Sequence, residues 1–319
     1  MEKNRLADYA TAFIIILSLN FLLPRMLPGD PMLAIYGQEA LLAMTPELEA
    51  ELSERFGLYT PLYQQFANYL LLLAKGDLGY SYYYQTPVTK LILGTLPWTI
   101  LLAGLAVVIS TLIGFIFGLE SAWQRGHKID KFFLTGMMFL NGFPDFFIAI
   151  LLLVVFSVTL GLFPLSGALT PYAGLSGLAL LKDVLWHLGL PLLCLVIVEI
   201  SASYLLTRTT VVSILGEPFI LTARAKGLAE NRIKYHHVGR NSLLPLVTGT
   251  GNRLGRVFTG ALFVEVVFSY PGMGLLVYNA LTARDYPVLQ GVFTLLALGV
   301  IGINFLVELL YPKLDPRVK

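Results

Sequence analysis

The stretch LPWTILLAGLAVVISTLIGFIFGL, residues 96–119, holds 24 residues without a single charged side chain. As a helix rising ~1.5 Å per residue it is ~36 Å long, enough to cross the ~30 Å hydrocarbon core of a bilayer. Five further apolar runs accompany it, and together they read as spans at Tyr9–Leu27, Leu96–Leu119, Phe132–Leu160, Val184–Leu206, Leu243–Phe268 and Val288–Leu310. The bulk numbers agree. Of 319 residues 56% are hydrophobic and 13% charged, where a soluble domain carries about 25% charged residues. Mean hydropathy is +0.73. Length alone would allow two globular domains; the apolar runs replace that reading with an all-α membrane bundle of about six transmembrane helices.

Six spans place both termini on one side. Of the 22 Lys and Arg, Arg25, Arg55, Lys75, Lys90, Lys182 and Arg284 fall on the opposite side and Arg253 and Arg256 fall inside a span. The remaining 14 lie on the side of the termini, so the positive-inside rule puts both termini in the cytoplasm. Lys3 and Arg5 before an apolar run suit a signal peptide superficially. Leu-Pro-Gly-Asp-Pro at 27–31 follows instead of a small-residue cleavage site, so the first helix is expected to stay. The lone Cys194 sits in an apolar run and supports no disulfide framework.

The expected organisation is an N-terminal span over 1–27, an extracytoplasmic helical cap over 28–95 and a membrane-spanning core over 96–319 with its cytoplasmic loop at 207–242. In the cap, Thr45-Pro46-Glu47 combines an N-cap, a first-turn proline and a first-turn acid. Leu48, Leu52 and Phe56 form one face before Gly57 ends the helix. Thr60-Pro61 repeats the start signal, Leu62, Phe66 and Leu70 form a stripe, and Gly76 closes it; Gln64, Gln65 and Asn68 make this helix too polar to span. Asn141-Gly142-Phe143-Pro144-Asp145 interrupts the third span and predicts a kink, tolerated only where protein or a cavity satisfies the freed backbone groups. The loop 161–183, rich in Gly, Ser and Pro, reads as partly re-entrant.

Motifs exclude several chemistries. No Gly-Lys dipeptide exists, so no Walker A loop can cradle ATP phosphates; His-Glu-x-x-His and Gly-x-Ser-x-Gly are also absent. His127, His187, His236 and His237 read as solvated or interfacial residues rather than metal ligands. A net charge of +2 implies no nucleic-acid partner. The chain reads as no enzyme, with no cofactor and no metal of its own.

The loop 207–242 is the informative segment. Glu217-Pro218 predicts a helix start, Gly227 its end, and Glu230–His236 a second short helix. Arg224, Lys226, Arg232 and Lys234 make the pair a basic knob, although composition alone leaves a plain solvated loop open. Thr222-Ala223-Arg224-Ala225-Lys226-Gly227-Leu228 resembles the coupling-loop signature of ABC importer permeases for dipeptides, oligopeptides and nickel. The frame of that signature falls on Leu221-Thr222-Ala223, on Gly227 and on His237-Val238-Gly239-Arg240. An acidic first residue and a final proline are missing, Gly239 stands where leucine is expected, and Ala229 stands at a position often held by a capping serine. Further segments look like the same family: Leu27–Pro31, Gly76-Asp77-Leu78-Gly79-Tyr80-Ser81, Arg240–Pro245, Val264–Gly272, Asp285–Gly291 and Leu314–Arg317.

The resemblance implies a type I importer fold and a place in the inner membrane. It implies a second, homologous permease and two cytoplasmic ATPases that use Mg-ATP. It also implies an extracytoplasmic substrate-binding protein that delivers small peptides, nickel or metal chelates. Glu217, Leu221–Gly227, Arg232, His237 and Arg240 would then contact or position the ATPase. Four charges at membrane depth, Asp145, Glu199, Arg253 and Arg256, read either as pathway residues or as ion pairs between helices. Glu265 and Glu308 are expected to reach the interface. A secondary transporter would need its own coupling-ion site and often shows inverted repeats, and no internal repeat is visible.

Overall fold

The computed structural model describes residues 2–26, 32, 36, 44–55 and 60–314. The side chains of 2–10, 49, 54, 55, 244, 248, 250–260 and 306–314 are outside that description. Leu27–Pro31, Phe56, Gly57 and residues 315–317 therefore lie outside it as well. All named elements among the described residues are helical. They are α1 (Glu2–Met26), α2 (Pro46–Arg55), α3 (Leu62–Ala74), α4 (Val88–Trp123), α5 (Lys128–Leu140) and α6 (Asp145–Leu152), which continues as a π-helix over Leu153–Thr159. After these come α7 (Gly177–Leu215), α8 (Pro218–Ala225), α9 (Glu230–Arg232) with a π-helix over Ile233–Gly239, α10 (Arg240–Val267), α11 (Met273–Thr282) and α12 (Tyr286–Leu314).

Among the described residues each of the six apolar runs lies largely on helix. α4, α7 and residues Tyr286–Phe305 of α12 are long and apolar enough to cross a membrane, and α1 contributes the shorter apolar stretch Thr11–Met26. α10, with 28 residues, is ~42 Å long. The third run departs from the expected kink: the helices Lys128–Leu140 and Asp145–Thr159 are bent by 97°. Neither half is long enough to cross alone; α4 and α7 run parallel and end together at Leu119 and Val211, so the chain between them returns across and this run is a broken span. Pro144, extended at φ −65° and ψ 147°, is the N-cap of the second half. On α4 the residues Val108, Leu112 and Ile116 are 55–60% exposed while Leu102 and Ala106 are fully buried. An apolar stripe left outward at four-residue spacing is what a hydrocarbon solvent accepts.

Chain contacts divide the molecule into two compact units. The first comprises Met1–Pro97 with Gly272–Ile301. The Thr45 hydroxyl caps α2 by accepting from Leu48 N–H at 3.3 Å, and Gly76 stops α3 at φ +75°. The Phe66 ring of α3 meets Phe21 of α1 edge to face at 5.0 Å. Two segments quoted separately above meet in this unit. Asp285 is fully buried and accepts from Ser81 Oγ at 2.5 Å, Tyr82 N–H at 3.2 Å and Tyr83 N–H at 3.0 Å. Gly79 lies beside Pro287, where an added Cβ would make an ordinary contact at 3.5 Å from the proline Cβ. The result is a small hairpin, with Val88 N–H donating to Gly79 O and Ser81 N–H to Thr86 O. Burial pushes the Tyr82 phenol of this hairpin up to about 12.

The second unit comprises Trp98–Pro271 with Gly302–Lys319. Its core joins Leu102, Ala106, Ile148, Leu152, Leu188, Leu195, Val264 and Phe268 from α4, α6, α7 and α10 and their ends. α4 and α7 are in near-backbone contact. A Cβ on Gly114 would lie 2.4 Å from Ser203 Cβ, and one on Gly118 would lie 2.7 Å from Thr207 Cβ. Small residues four apart facing small residues four apart is the packing by which helices associate in lipid.

Glu265 corrects an expectation. It is fully buried and accepts from Thr99 Oγ1 at 2.7 Å rather than reaching an interface. A buried carboxylate needs such donors, and the rotation of α10 supplies one from α4. The Glu308 side chain is outside the described residues.

Candidate functional site

The candidate site is the outcrop between α7 and α10. α7 runs to Leu215, nine residues past the span boundary expected at Leu206, so little of 207–242 is irregular. Glu217 takes extended geometry at φ −75° and ψ 143°, and Pro218 occupies the first helical position of α8, where its missing N–H costs nothing. The other end of α8 is a complete Schellman cap. Gly227, at φ +70°, donates to Arg224 O at 2.9 Å, and Leu228 N–H donates to Ala223 O at 3.3 Å. A left-handed residue is required there, which is why glycine stands at the position.

One face of α8 is buried. Ile220 and Ala223, three residues apart, pack with Leu119 and Ala122 of α4, Val211 of α7, and Ile233 and Val238 of the π-helix, with Leu228 alongside. The other face is open: Leu221 is 67% exposed, and Phe219, Thr222, Arg224, Ala225 and Lys226 are exposed as well. Thr222 is satisfied by donating from Oγ1 to Pro218 O at 3.2 Å. Ala223 thus faces its own chain, whereas Leu221, Arg224 and Lys226 face outward. Arg224 forms a two-pronged pair with Glu230 at 3.2 and 3.4 Å, both partners about half exposed.

The second short helix expected over Glu230–His236 is not a separate element. α9 passes through the π-helix Ile233–Gly239 straight into α10, so the knob is continuous with a span. Lys234 is buried, and its ammonium donates to Glu120 Oε2 of α4. Gly239 packs against Leu119, with an added Cβ 3.3 Å from Lys234 O and 3.5 Å from Leu119 Cδ2. His237 is half-buried, with its carbonyl accepting from Asn241 Nδ2 at 2.6 Å. Arg232 and Arg240 are exposed.

A residue absent from the sequence reading stands beside the knob. Asp130 is 3% exposed and accepts four hydrogen bonds. Arg208 supplies two, Nε at 2.7 Å and Nη2 at 2.9 Å; Ser121 Oγ supplies one at 2.7 Å and Gly126 N–H one at 2.9 Å. The Tyr204 hydroxyl lies 2.6 Å from Ser121 Oγ. The available signal was an acid in the first turn after a helix break, among basic residues, which usually signifies only a solvated helix start.

Of the four membrane-depth charges, Asp145 and Glu199 have described side chains. Asp145 opens α6, is half-buried, and its carbonyl accepts a long 3.8 Å contact from Cys194 Sγ. Ion pairs among the described residues do not include it. Glu199 is half-buried on α7. Arg253 and Arg256 lie on the α10 backbone, but their side chains are outside the described residues. Among the described residues no group of His, Cys, Asp and Glu could hold a metal ion.

Comparison with known proteins matches residues 110–319 to the family described as binding-protein-dependent transport system inner membrane component. The chain is 33% identical to the di/tripeptide transport system permease protein DppB of Pseudomonas aeruginosa, over 99% of this chain and 97% of that protein. It is 32% identical to the dipeptide transport system permease protein DppB of Escherichia coli, over 99% and 97% respectively. The match covers the α4–α7 contact, the buried Asp130 and the whole of α8 through α10, the elements from which the knob is built. The chain belongs to the family of binding-protein-dependent transport system inner membrane components.

Proposed function

We propose that this chain is one of two permease subunits of an ATP-driven importer for di- and other short peptides. In this reading α8 is the lever through which a cytoplasmic ATPase drives the helix bundle. The observation that carries it is the build of α8. A helix begun by a first-turn proline and closed by a Schellman cap, with one face seated on α4 and α7, presents Leu221, Phe219, Arg224 and Lys226 outward. Such an element is stiff enough to transmit a push and open enough to be gripped. The π-helix on which α8 packs runs straight into α10, which favours conversion of that push into movement of a span.

Peptides are favoured over nickel or metal chelates because both DppB relatives are named for dipeptide or di/tripeptide transport. The excess of Lys and Arg on the side of the termini puts that side, and α8 with it, in the cytoplasm. ATP hydrolysis belongs to the partner subunits and is supported by the lack of a phosphate-cradling loop in this chain. Substrate arrives on the opposite face from an extracytoplasmic binding protein, and the pathway forms between this subunit and the second permease.

The test is reconstitution of the chain with its partner permease, ATPases and binding protein. Labelled dipeptide is expected to accumulate in proteoliposomes only with Mg-ATP on the α8 side. Uptake through this chain without ATP would overturn the reading, and nickel accumulation in place of dipeptide would overturn the substrate.

A further inference from the structure

The lever needs something rigid to push against, and the structure offers a specific device for this. α8 is seated on the ends of α4 and α7, two helices that could splay apart under load. At that level the turn Gln124–His127 separates α4 from α5. Asp130 closes this junction from inside. Its Oδ1 takes Ser121 of α4 and Arg208 Nε of α7, and its Oδ2 takes the Gly126 backbone and Arg208 Nη2. Tyr204, one turn before Arg208 and fully buried, reaches the same Ser121 hydroxyl. Four hydrogen bonds on two oxygens saturate the carboxylate, and the guanidinium fork fixes direction as well as distance. Glu120, the neighbour of Ser121, holds buried Lys234 in the π-helical joint that leads from α8 to α10.

We propose that Asp130 is a positioning residue for energy coupling: it clamps α4, α5 and α7 into one block at the cytoplasmic end, so that force on α8 moves the block instead of bending it. The inference rests on the reading of α8 as the lever. It goes further in assigning a role to a residue outside the knob.

The test uses the whole reconstituted importer and measures dipeptides transported per ATP hydrolysed. A residue with a merely structural role would change the amount of complex and leave that ratio alone. Asp130→Asn removes the charge, and Arg208→Lys keeps the charge while losing the fork. In complexes normalised for amount, both are expected to hydrolyse ATP while the ratio falls about tenfold, within the ~5–150-fold span of ordinary coupling free energies. Asp130→Glu, which can still meet Arg208, is expected to recover part of the ratio.

An unchanged ratio in Asp130→Asn and Arg208→Lys would overturn the proposal, and so would failure of both variants to accumulate in the membrane. If Asp130→Asn alone fails to accumulate, Arg208→Lys decides. The control is Ala223→Glu on the buried face of α8. If it uncouples transport while the Asp130 and Arg208 variants do not, the lever stands and the clamp falls. If it also leaves the ratio unchanged, the lever reading itself has failed.

Discussion

Two polar segments of this chain are held rigid by opposite means. Helix α8 is anchored by apolar contact: Ile220 and Ala223 are buried while Arg224 and Lys226 stay outside. The hairpin Gly79–Val88 is anchored by charge. Asp285 is buried and takes three hydrogen bonds from Ser81, Tyr82 and Tyr83, while Tyr80 and Tyr83 stand about half exposed. The seat of one segment is apolar; the seat of the other is a carboxylate. An element that hides its charge is fixed in place by its own chain. An element that shows both charge and the 67%-exposed Leu221 is supplied with the means to engage another protein.

The contrast breaks most severely at Asp285. Asp285→Ala strips three donors of their acceptor inside a buried site and should cost about 3–5 kcal/mol, read as a large fall in the Tm of the solubilised protein or its loss from the membrane. Next comes Ala223→Glu. It forces a charge into the seat of α8 and should cost about 2–4 kcal/mol locally, abolishing uptake while the protein still inserts, as membrane fractionation and transport assays would show. Gly227→Ala is smaller. Space is free around it, so the cost is that of a left-handed alanine, about 1–2 kcal/mol, seen as faster hydrogen exchange at Leu228 and reduced transport. Smallest is Arg224→Ala. Its exposed pair with Glu230 should contribute under about 1 kcal/mol to stability, leaving Tm nearly unmoved while affinity for the ATPase falls.

Much of this architecture was legible in the sequence, because it depends on local chemistry. Apolar runs of span length mark the helices. Thr45, Pro218, Gly76 and Gly227 mark caps that the structure shows with their expected hydrogen bonds or dihedrals. The rest depends on where distant elements meet. Pro144 announces a break, but the 97° bend is set by what α5 and α6 pack upon. Neither π-helix has a composition that distinguishes it from α-helix. Asp130 and Glu265 look like ordinary acids near helix ends until Arg208 and Thr99 are brought to them from other helices. The candidate site divides the same way: α8 could be read residue by residue, while its seat on Leu119, Val211 and Val238 could not.

The central claim is that α8 faces the cytoplasm and is gripped there by an ATPase. It is tested most directly by a Leu221→Cys variant, since the native Cys194 is buried and will not interfere. Labelling with a membrane-impermeant maleimide should modify the new thiol in inside-out vesicles stripped of ATPase. It should fail in right-side-out cells and be blocked when the ATPase is restored. Labelling from outside the cell, or equal labelling with and without the ATPase, would contradict the account.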